Sequence, residues 1–317
     1  MSEVSLKVIF MGSEKFSIPS LEVLAGGLVD LLAVITCPDS PSGRGRKYTP
    51  SPVKKRAMEL GIPVKTPDSL RTPEFIEWLE LLFPDLIILA SYGKILPKEV
   101  LDIPRLGCLN VHPSLLPRHR GATPVEAAII AGDKKTGVTL FLMDEGCDTG
   151  DILFQEEVEI GEEETGQELS DRLAELGSDM LKKYLPFMAN GKFERHPQDR
   201  EAGSYAHLLK KEDLRVDWNM SAEQIARRIR AFATRPGKFT KFRGKILKIY
   251  KSKPVSNIEG TPGEILEVRK GKGPVIGTGK GALLLSRVQP EGRKVMDGGA
   301  FINGYQPKAG EVLGEGG

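Results

Sequence analysis

Short apolar runs alternate with helix-forming stretches through the first half of the chain, and few folds satisfy that order. The runs at 5–11 (SLKVIFM), 30–36 (DLLAVIT), 85–91 (DLIILAS), 107–112 (GCLNVH) and 137–143 (GVTLFLM) each have the length of one buried strand. Helical patterns near 18–25, 52–60, 72–83 and 123–131 fall between them, where right-handed crossovers would join parallel strands. The prediction is an α/β, Rossmann-like N-terminal domain built on a mostly parallel sheet. Its first strand ends in Met11-Gly12-Ser13 without a G-x-G-x-x-G fingerprint, and no G-x-x-x-x-G-K-[ST] occurs. The usual cradles for a dinucleotide or a nucleoside triphosphate are therefore missing.

A longer helix is expected from Gly166 to Met188. Thr165 and Glu168 have the spacing of a capping box, and Leu169, Leu173, Leu176 and Met180 recur at helical intervals. Residues 189–210 are polar and hold Gly191, Pro197 and Gly203, which reads as a connection. The division that follows is a catalytic domain over 1–190, a linker over 191–207 and a C-terminal domain over 208–317. In the last of these, Ser221 and Gln224 open a helix through Phe232. The β-rich runs 239–250, 263–269 and 281–288, broken by glycines, predict a small OB-like β-barrel.

Charge divides at the same place. The 317 residues sum to +2, yet 1–207 carry a net −9 and 208–317 a net +11. A basic C-terminal domain points to a polyanion such as nucleic acid, with a solvated basic surface as the plain alternative. Three unpaired cysteines, Cys37, Cys108 and Cys147, support neither a disulfide framework nor a zinc site and suit a reducing compartment. A strand already at 4–10 leaves no room for a leader, and no apolar run approaches the ~18 residues of a membrane span. The expectation is a cytoplasmic protein without a membrane partner.

The stretch 107–121 (GCLNVHPSLLPRHRG) concentrates the chemistry. Asn110 and His112 stand two apart on a predicted strand, so both project to one face, and Pro113 ends the strand directly after them. Ligands of open α/β sheets gather at such strand ends. Alone, an Asn-x-His pair is weak evidence, since most histidines in globular chains are structural or merely exposed. The acidic stretch 144–150 (DEGCDTG) reads as a solvated or calcium-like turn, or as the source of a carboxylate, Asp148, that reaches His112. In the second reading, amide, imidazole and carboxylate form one constellation on adjacent strands. The carboxylate would fix the tautomer of the imidazole and raise its pKa, while Asn110 would donate to a developing oxyanion. Cys147 has no base near it in sequence and is set aside. Upstream, Arg44, Arg46, Lys47, Lys54, Lys55 and Arg56 occur with no acidic residue between Asp39 and Glu59. That cluster is a solvated face or, beside Gly43, Gly45 and Tyr48, a loop that enters nucleic acid.

The joint pattern N-V-H-P-S-L-L-P-R-H-R-G-A followed by D-x-G-x-D-T-G-D resembles the folate-dependent formyltransferases. The similarity continues through 37–55, 83–98, 205–218 and 302–313, almost the whole chain. With its Gly-Arg-rich loop and basic C-terminal domain, the chain resembles the members acting on methionyl-tRNA more than those acting on glycinamide ribonucleotide. The resemblance implies metal-independent transfer of a formyl group from 10-formyltetrahydrofolate to the methionine amine of initiator methionyl-tRNA, with folate and that tRNA as the partners. It implies that Asn110, His112 and Asp148 are catalytic and that Ser114, Leu115, Leu116 and Pro117 line the folate site. Arg44, Arg46 and Lys47 are then the tRNA contacts. Protonated His112 and the Asn110 amide would hold the oxyanion, with Asp148 orienting the imidazole. The segment 231–239 (AFATRPGKF) departs from the family, where bulkier residues are common, and bears on packing only. The rivals are an amino-sugar or small-amine acceptor and a catalytically silent RNA-binding protein. The intact trio, the 42–47 loop and the basic C-terminal part argue against both.

Overall fold

The computed structural model describes residues 6–42, 47–199, 201–234 and 236–314. In chain order the first elements are β1 (Lys7–Gly12), α1 (Ile18–Val23), β2 (Asp30–Ile35), β3 (Ser40–Ser42), β4 (Lys47–Thr49), α2 (Pro52–Glu59), β5 (Val64–Lys65), α3 (Pro73–Leu81), β6 (Leu86–Ala90), α4 (Lys98–Leu101) and β7 (Cys108–His112). They continue with β8 (Arg120–Gly121), α5 (Pro124–Ala131), β9 (Lys135–Leu142), β10 (Ile152–Glu159), α6 (Gly166–Ala189) and β11 (Tyr205–Ala206). The last are α7 (Ala222–Ala231), β12 (Lys238–Phe242), β13 (Lys245–Val255), β14 (Ile265–Arg269), β15 (Gly273–Gly277), β16 (Ala282–Pro290), β17 (Met296–Asp297) and α8 (Gly298–Tyr305). The chain forms two compact units, residues 1–124, 135–159 and 170–206 in the first and 125–134, 160–169 and 207–317 in the second.

The first unit holds a seven-stranded sheet in the order β10-β9-β7-β6-β1-β2-β5. The strands from β7 to β5 run parallel, whereas β9 is antiparallel to β7 and β10 to β9. The Rossmann-like, mostly parallel sheet expected from the alternation is present. The helix at 124–131 is not a parallel crossover, because the strand after it returns antiparallel. Sequence periodicity cannot register this, since a buried strand reads the same in both directions. Val8 to Met11 of β1 and Leu86 to Ala90 of β6 are buried on both faces, as central parallel strands must be. Helix starts follow local chemistry: the Ser51 hydroxyl accepts from Lys54 N–H at 2.9 Å and Thr72 from Phe75 N–H at 3.3 Å, each followed by proline at the first helical position.

The second unit is an antiparallel sheet, β12-β13-β16-β15-β14, with β17 on β16. Among the described residues β12 and β14 do not pair, so the sheet is not closed into the expected barrel. The run read as one β stretch at 239–250 is two strands. Arg243 and Gly244, at φ 50° and 73°, make the tight turn between them, the double positive φ that suits the twist of a hairpin. A core of Trp218, Ile225, Ile229, Leu247, Ile249, Leu285, Val288 and Phe301 lies between sheet and helices. The predicted Ser221–Gln224 capping box is formed at the start of α7.

Candidate active site

β7 ends where the parallel strands end, and it carries Asn110 and His112 there. Asn110 lies opposite Phe141 and His112 opposite Thr139 on β9. Asn110 is half-buried, and His112 is 4% exposed with the Phe141 ring edge-on at 6.2 Å. The Nε2 of His112 is 3.1 Å from the carbonyl oxygen of His119. A carbonyl only accepts, so Nε2 carries the hydrogen and, in the neutral ring, Nδ1 presents a lone pair. That lone pair faces Asp148 Oδ2 at 3.7 Å, too far for a direct hydrogen bond and near enough for the carboxylate field to act.

Asp148 arrives by a longer route than adjacent strands would require. Because β9 is antiparallel to β7, its last residue Leu142 lies beside Leu109, and the chain leaves β9 at the wrong end of β7. Residues 143–151 therefore fold back. Leu142 N–H donates to the Asp151 carbonyl at 2.9 Å, and Gly150 sits against the Leu142 carbonyl, where any Cβ would collide. Asp144 closes the loop by accepting from Gly146 N–H at 3.0 Å and from Thr149 Oγ1 at 2.8 Å. Asp148 itself has φ 53° and accepts from Gly121 N–H at 2.7 Å. Gly121, at φ 105°, supplies that donor from a backbone region L side chains rarely enter.

Burial pushes the His112 imidazole below the ordinary histidine range, and it outweighs the Asp148 charge and the His119 carbonyl, which both pull upward. The expectation that the carboxylate would keep this ring protonated is thus reversed. Loss of water from a ring enclosed by β7, β9 and the 119–121 turn exceeds the attraction of a carboxylate at 3.7 Å.

The Ser114–Pro117 segment is more structural than its reading as a folate lining suggests. Ser114 and Leu116 are buried. The Ser114 carbonyl accepts from Thr139 Oγ1 at 2.6 Å, Leu116 N–H donates to the same hydroxyl at 3.1 Å, and the Leu116 carbonyl accepts from Gln155 Nε2 at 2.8 Å. These backbone groups are satisfied within the protein, leaving half-buried Leu115 and Pro117 as the accessible members. Arg44 and Arg46 lie outside the described residues. Lys47 opens β4 opposite Ser42, and its neighbour Tyr48 is 74% exposed.

Sequence reasoning missed Gln198 and Arg120. Gln198 lies in the polar stretch read as a connection, yet its amide bonds to the Asp148 loop and to the buried Arg120 guanidinium. A glutamine in a linker carries no signal of that kind. Among the described residues no group of three or more His, Cys, Asp or Glu side chains is placed to hold a metal ion.

Residues 6–185 match the formyl transferase family and residues 208–306 the formyl transferase C-terminal domain, which sets the class as that of formyl-transferring enzymes. The chain is 43% identical to methionyl-tRNA formyltransferase of Geobacter sulfurreducens, over 98% of each chain. To methionyl-tRNA formyltransferase of Syntrophus aciditrophicus it is 44% identical, over 98% of this chain and 99% of that one. The chain belongs to the methionyl-tRNA formyltransferase family. A sugar 3N-formyl transferase solved with dTDP and 5-N-formyl-THF shares the fold, with a TM-score of 0.65 at 20% identity over 92% of this chain and 99% of that one.

Proposed function

We propose that this enzyme transfers the formyl group of 10-formyltetrahydrofolate to the amino group of methionine on initiator tRNA. The observation that carries the reading is full-length identity of 43–44% to proteins named for that reaction. The site geometry supports it with an amide, an imidazole and a carboxylate at one strand end.

The step is acyl transfer. The amine nitrogen bonds to the formyl carbon, the carbonyl oxygen takes up negative charge, and the bond to the folate nitrogen then breaks. His112 Nδ1 and Asp148 Oδ2 are two acceptors facing each other at 3.7 Å, an arrangement that needs a donor between them. An N–H of the attacking amine meets that need. Neutral His112 then takes the proton as the amine attacks, Asp148 stabilises the imidazolium, and the same proton returns to the departing folate nitrogen. The Asn110 amide donates to the oxyanion, and a preorganised donor of this kind is worth about 2.7–4 kcal/mol. No side chain needs to act as nucleophile, because the substrate amine is one.

The donor folate binds beside Leu115 and Pro117. Ile95, 82% exposed in the loop after β6 at the same sheet edge, adds apolar surface for a flat ring. Arg44, Arg46 and Lys47 contact the acceptor stem of the tRNA, and the basic C-terminal domain holds its backbone. We retain the division into 1–190, 191–207 and 208–317, supported by family matches that stop at 185 and resume at 208. We also read the C-terminal sheet as a partly open OB-like barrel, because register shifts near Ile249 and Lys251 bend its longest strand pair. The working compartment is the cytoplasm, where charged tRNA enters translation. Radiolabelled formyl transfer tests the function: incorporation into initiator Met-tRNA is expected, with none into uncharged tRNA or free methionine. Equal labelling of free methionine would overturn the tRNA assignment.

A further inference from the structure

We propose that Gln198 is a positioning residue for formyl transfer, holding Asp148 at His112 from a segment that follows α6, with Arg120 as its anchor. This rests on the reading of Asp148 and His112 as the reacting pair. Both Gln198 amide hydrogens are spent on the backbone of the Asp148 loop: Nε2 donates to the Asp148 carbonyl at 3.0 Å and to the Gly150 carbonyl at 2.7 Å. Its Oε1 accepts from Arg120 Nε at 3.1 Å and Nη2 at 2.9 Å. The orientation of the amide is not ambiguous, because carbonyls only accept and a guanidinium only donates. Arg120 is 2% exposed, and its Nη2 also donates to the Asp199 carbonyl at 3.3 Å. Gly203 leaves room for this guanidinium, where a Cβ would strike it.

The position matters because Asp148 sits at a positive φ that the loop must impose on it. Gly121 N–H fixes the carboxylate at one end, and Gln198 fixes the backbone carbonyls of Asp148 and Gly150 at the other. The same segment sets the imidazole indirectly. Ser204 Oγ accepts from His119 N–H at 2.9 Å, and the His119 carbonyl takes the Nε2–H of His112. Gln198 and Ser204 thereby hold both halves of the pair. The charged and titratable groups facing this point are Asp148, His119, Cys147 and Arg120.

Gln198→Ala removes the two donors. Gln198→Glu keeps the acceptor for Arg120 and loses the donors, so it tests the same point if the alanine variant folds poorly. Either change should lower the single-turnover rate, a misplacement of about 1 Å being worth up to roughly 10²-fold, with KM for the formyl donor little changed. If Gln198 acts through Asp148, its loss must cost little more in an Asp148→Asn background. In Gln198→Ala, which adds no charge, the His112 resonances followed by NMR should titrate at lower pH than in the parent, in the same direction as in Asp148→Asn, because the carboxylate that raises this group has moved away. Additive losses in the Asp148→Asn background for either variant, or an unshifted His112 titration in folded Gln198→Ala, would overturn the proposal. If instead Asp148→Asn itself left the rate intact, the catalytic reading would fall, so the two failures are distinct.

Discussion

At the scale of single residues, the proposed chemistry requires a neutral His112 with its hydrogen on Nε2. Only then does Nδ1 offer a lone pair toward Asp148, and the His119 carbonyl enforces that tautomer. Asn110→Ala, His112→Ala and Asp148→Asn should each slow the chemical step by on the order of 10²-fold with folding intact. Near-normal single-turnover rates in any two of them would show that the reacting carbon lies elsewhere. The lowered His112 pKa also has a consequence for stability. Below about 6.5 the unfolded ring takes up a proton that the buried ring refuses, so the unfolded state binds more protons. Stability supplied by this residue is therefore present above that pH and lost as pH falls toward the folded pKa. Denaturant unfolding from pH 7.5 to 5.5 should show a shallower decline in His112→Gln than in the parent. Parallel curves would mean that burial does not depress this ring.

At the scale of elements, local rules account for where helices begin and tertiary demands account for the loops. The capping box expected at α6 is present, with Thr165 N–H donating to the Glu168 carboxylate at 2.9 Å and Glu168 N–H to Thr165 Oγ1 at 3.3 Å. The 143–151 loop answers instead to the antiparallel sense of β9. Gly150→Ala should abolish formyl transfer, since the added carbon meets the Leu142 carbonyl and the loop must move Asp148 to relieve it. A fully active Gly150→Ala enzyme would show that the fold-back is not required. In the second unit, Lys238 is buried, and its ammonium donates to the carbonyls of Asp213 and Arg215, tying the 212–215 turn to β12. Lys238→Met should cost about 1–3 kcal/mol in chemical denaturation by leaving those acceptors unpaired. A change within a few tenths would mean that water replaces the ammonium there.

At the scale of the whole molecule, charge separates the two tasks proposed: the part assigned the folate is acidic, and the part assigned the tRNA is basic. Binding of initiator tRNA should therefore depend strongly on salt. Replacing exposed Lys270, Lys272 and Lys294 by alanine should flatten the log-log slope by roughly one unit for each phosphate that is no longer neutralised. An unchanged slope would place the backbone-binding cations elsewhere. Arg44→Ala with Arg46→Ala should lower transfer to tRNA-bound methionine while leaving binding of a folate analogue as it was. If these arginines read bases, activity on initiator relative to elongator methionyl-tRNA will also change, since a base-directed pair is worth about 1–3 kcal/mol. Equal activity of this double variant and the parent on initiator tRNA would reduce the loop to a solvated surface.

What the sequence determined by itself was whatever depends on near neighbours in the chain. The strands at 7–12, 30–35, 86–90 and 108–112, the helix caps, and the shared face of Asn110 and His112 all follow from period and capping chemistry. The motif at 110–122 and 144–151 also named the family, because its residues are few and their spacing is tight. Tertiary structure decided whatever depends on direction and dehydration. It ran β9 antiparallel to β7, so Asp148 reaches His112 by a fold-back loop and not from a neighbouring strand end. It withdrew water from His112, which pulls the ring below the ordinary histidine range although a carboxylate lies close by. And it brought Gln198, distant in sequence, onto the carbonyls of Asp148 and Gly150. Strand sense, solvent access and long-range hydrogen bonds are properties of the packed chain, and no local pattern of residues encodes them.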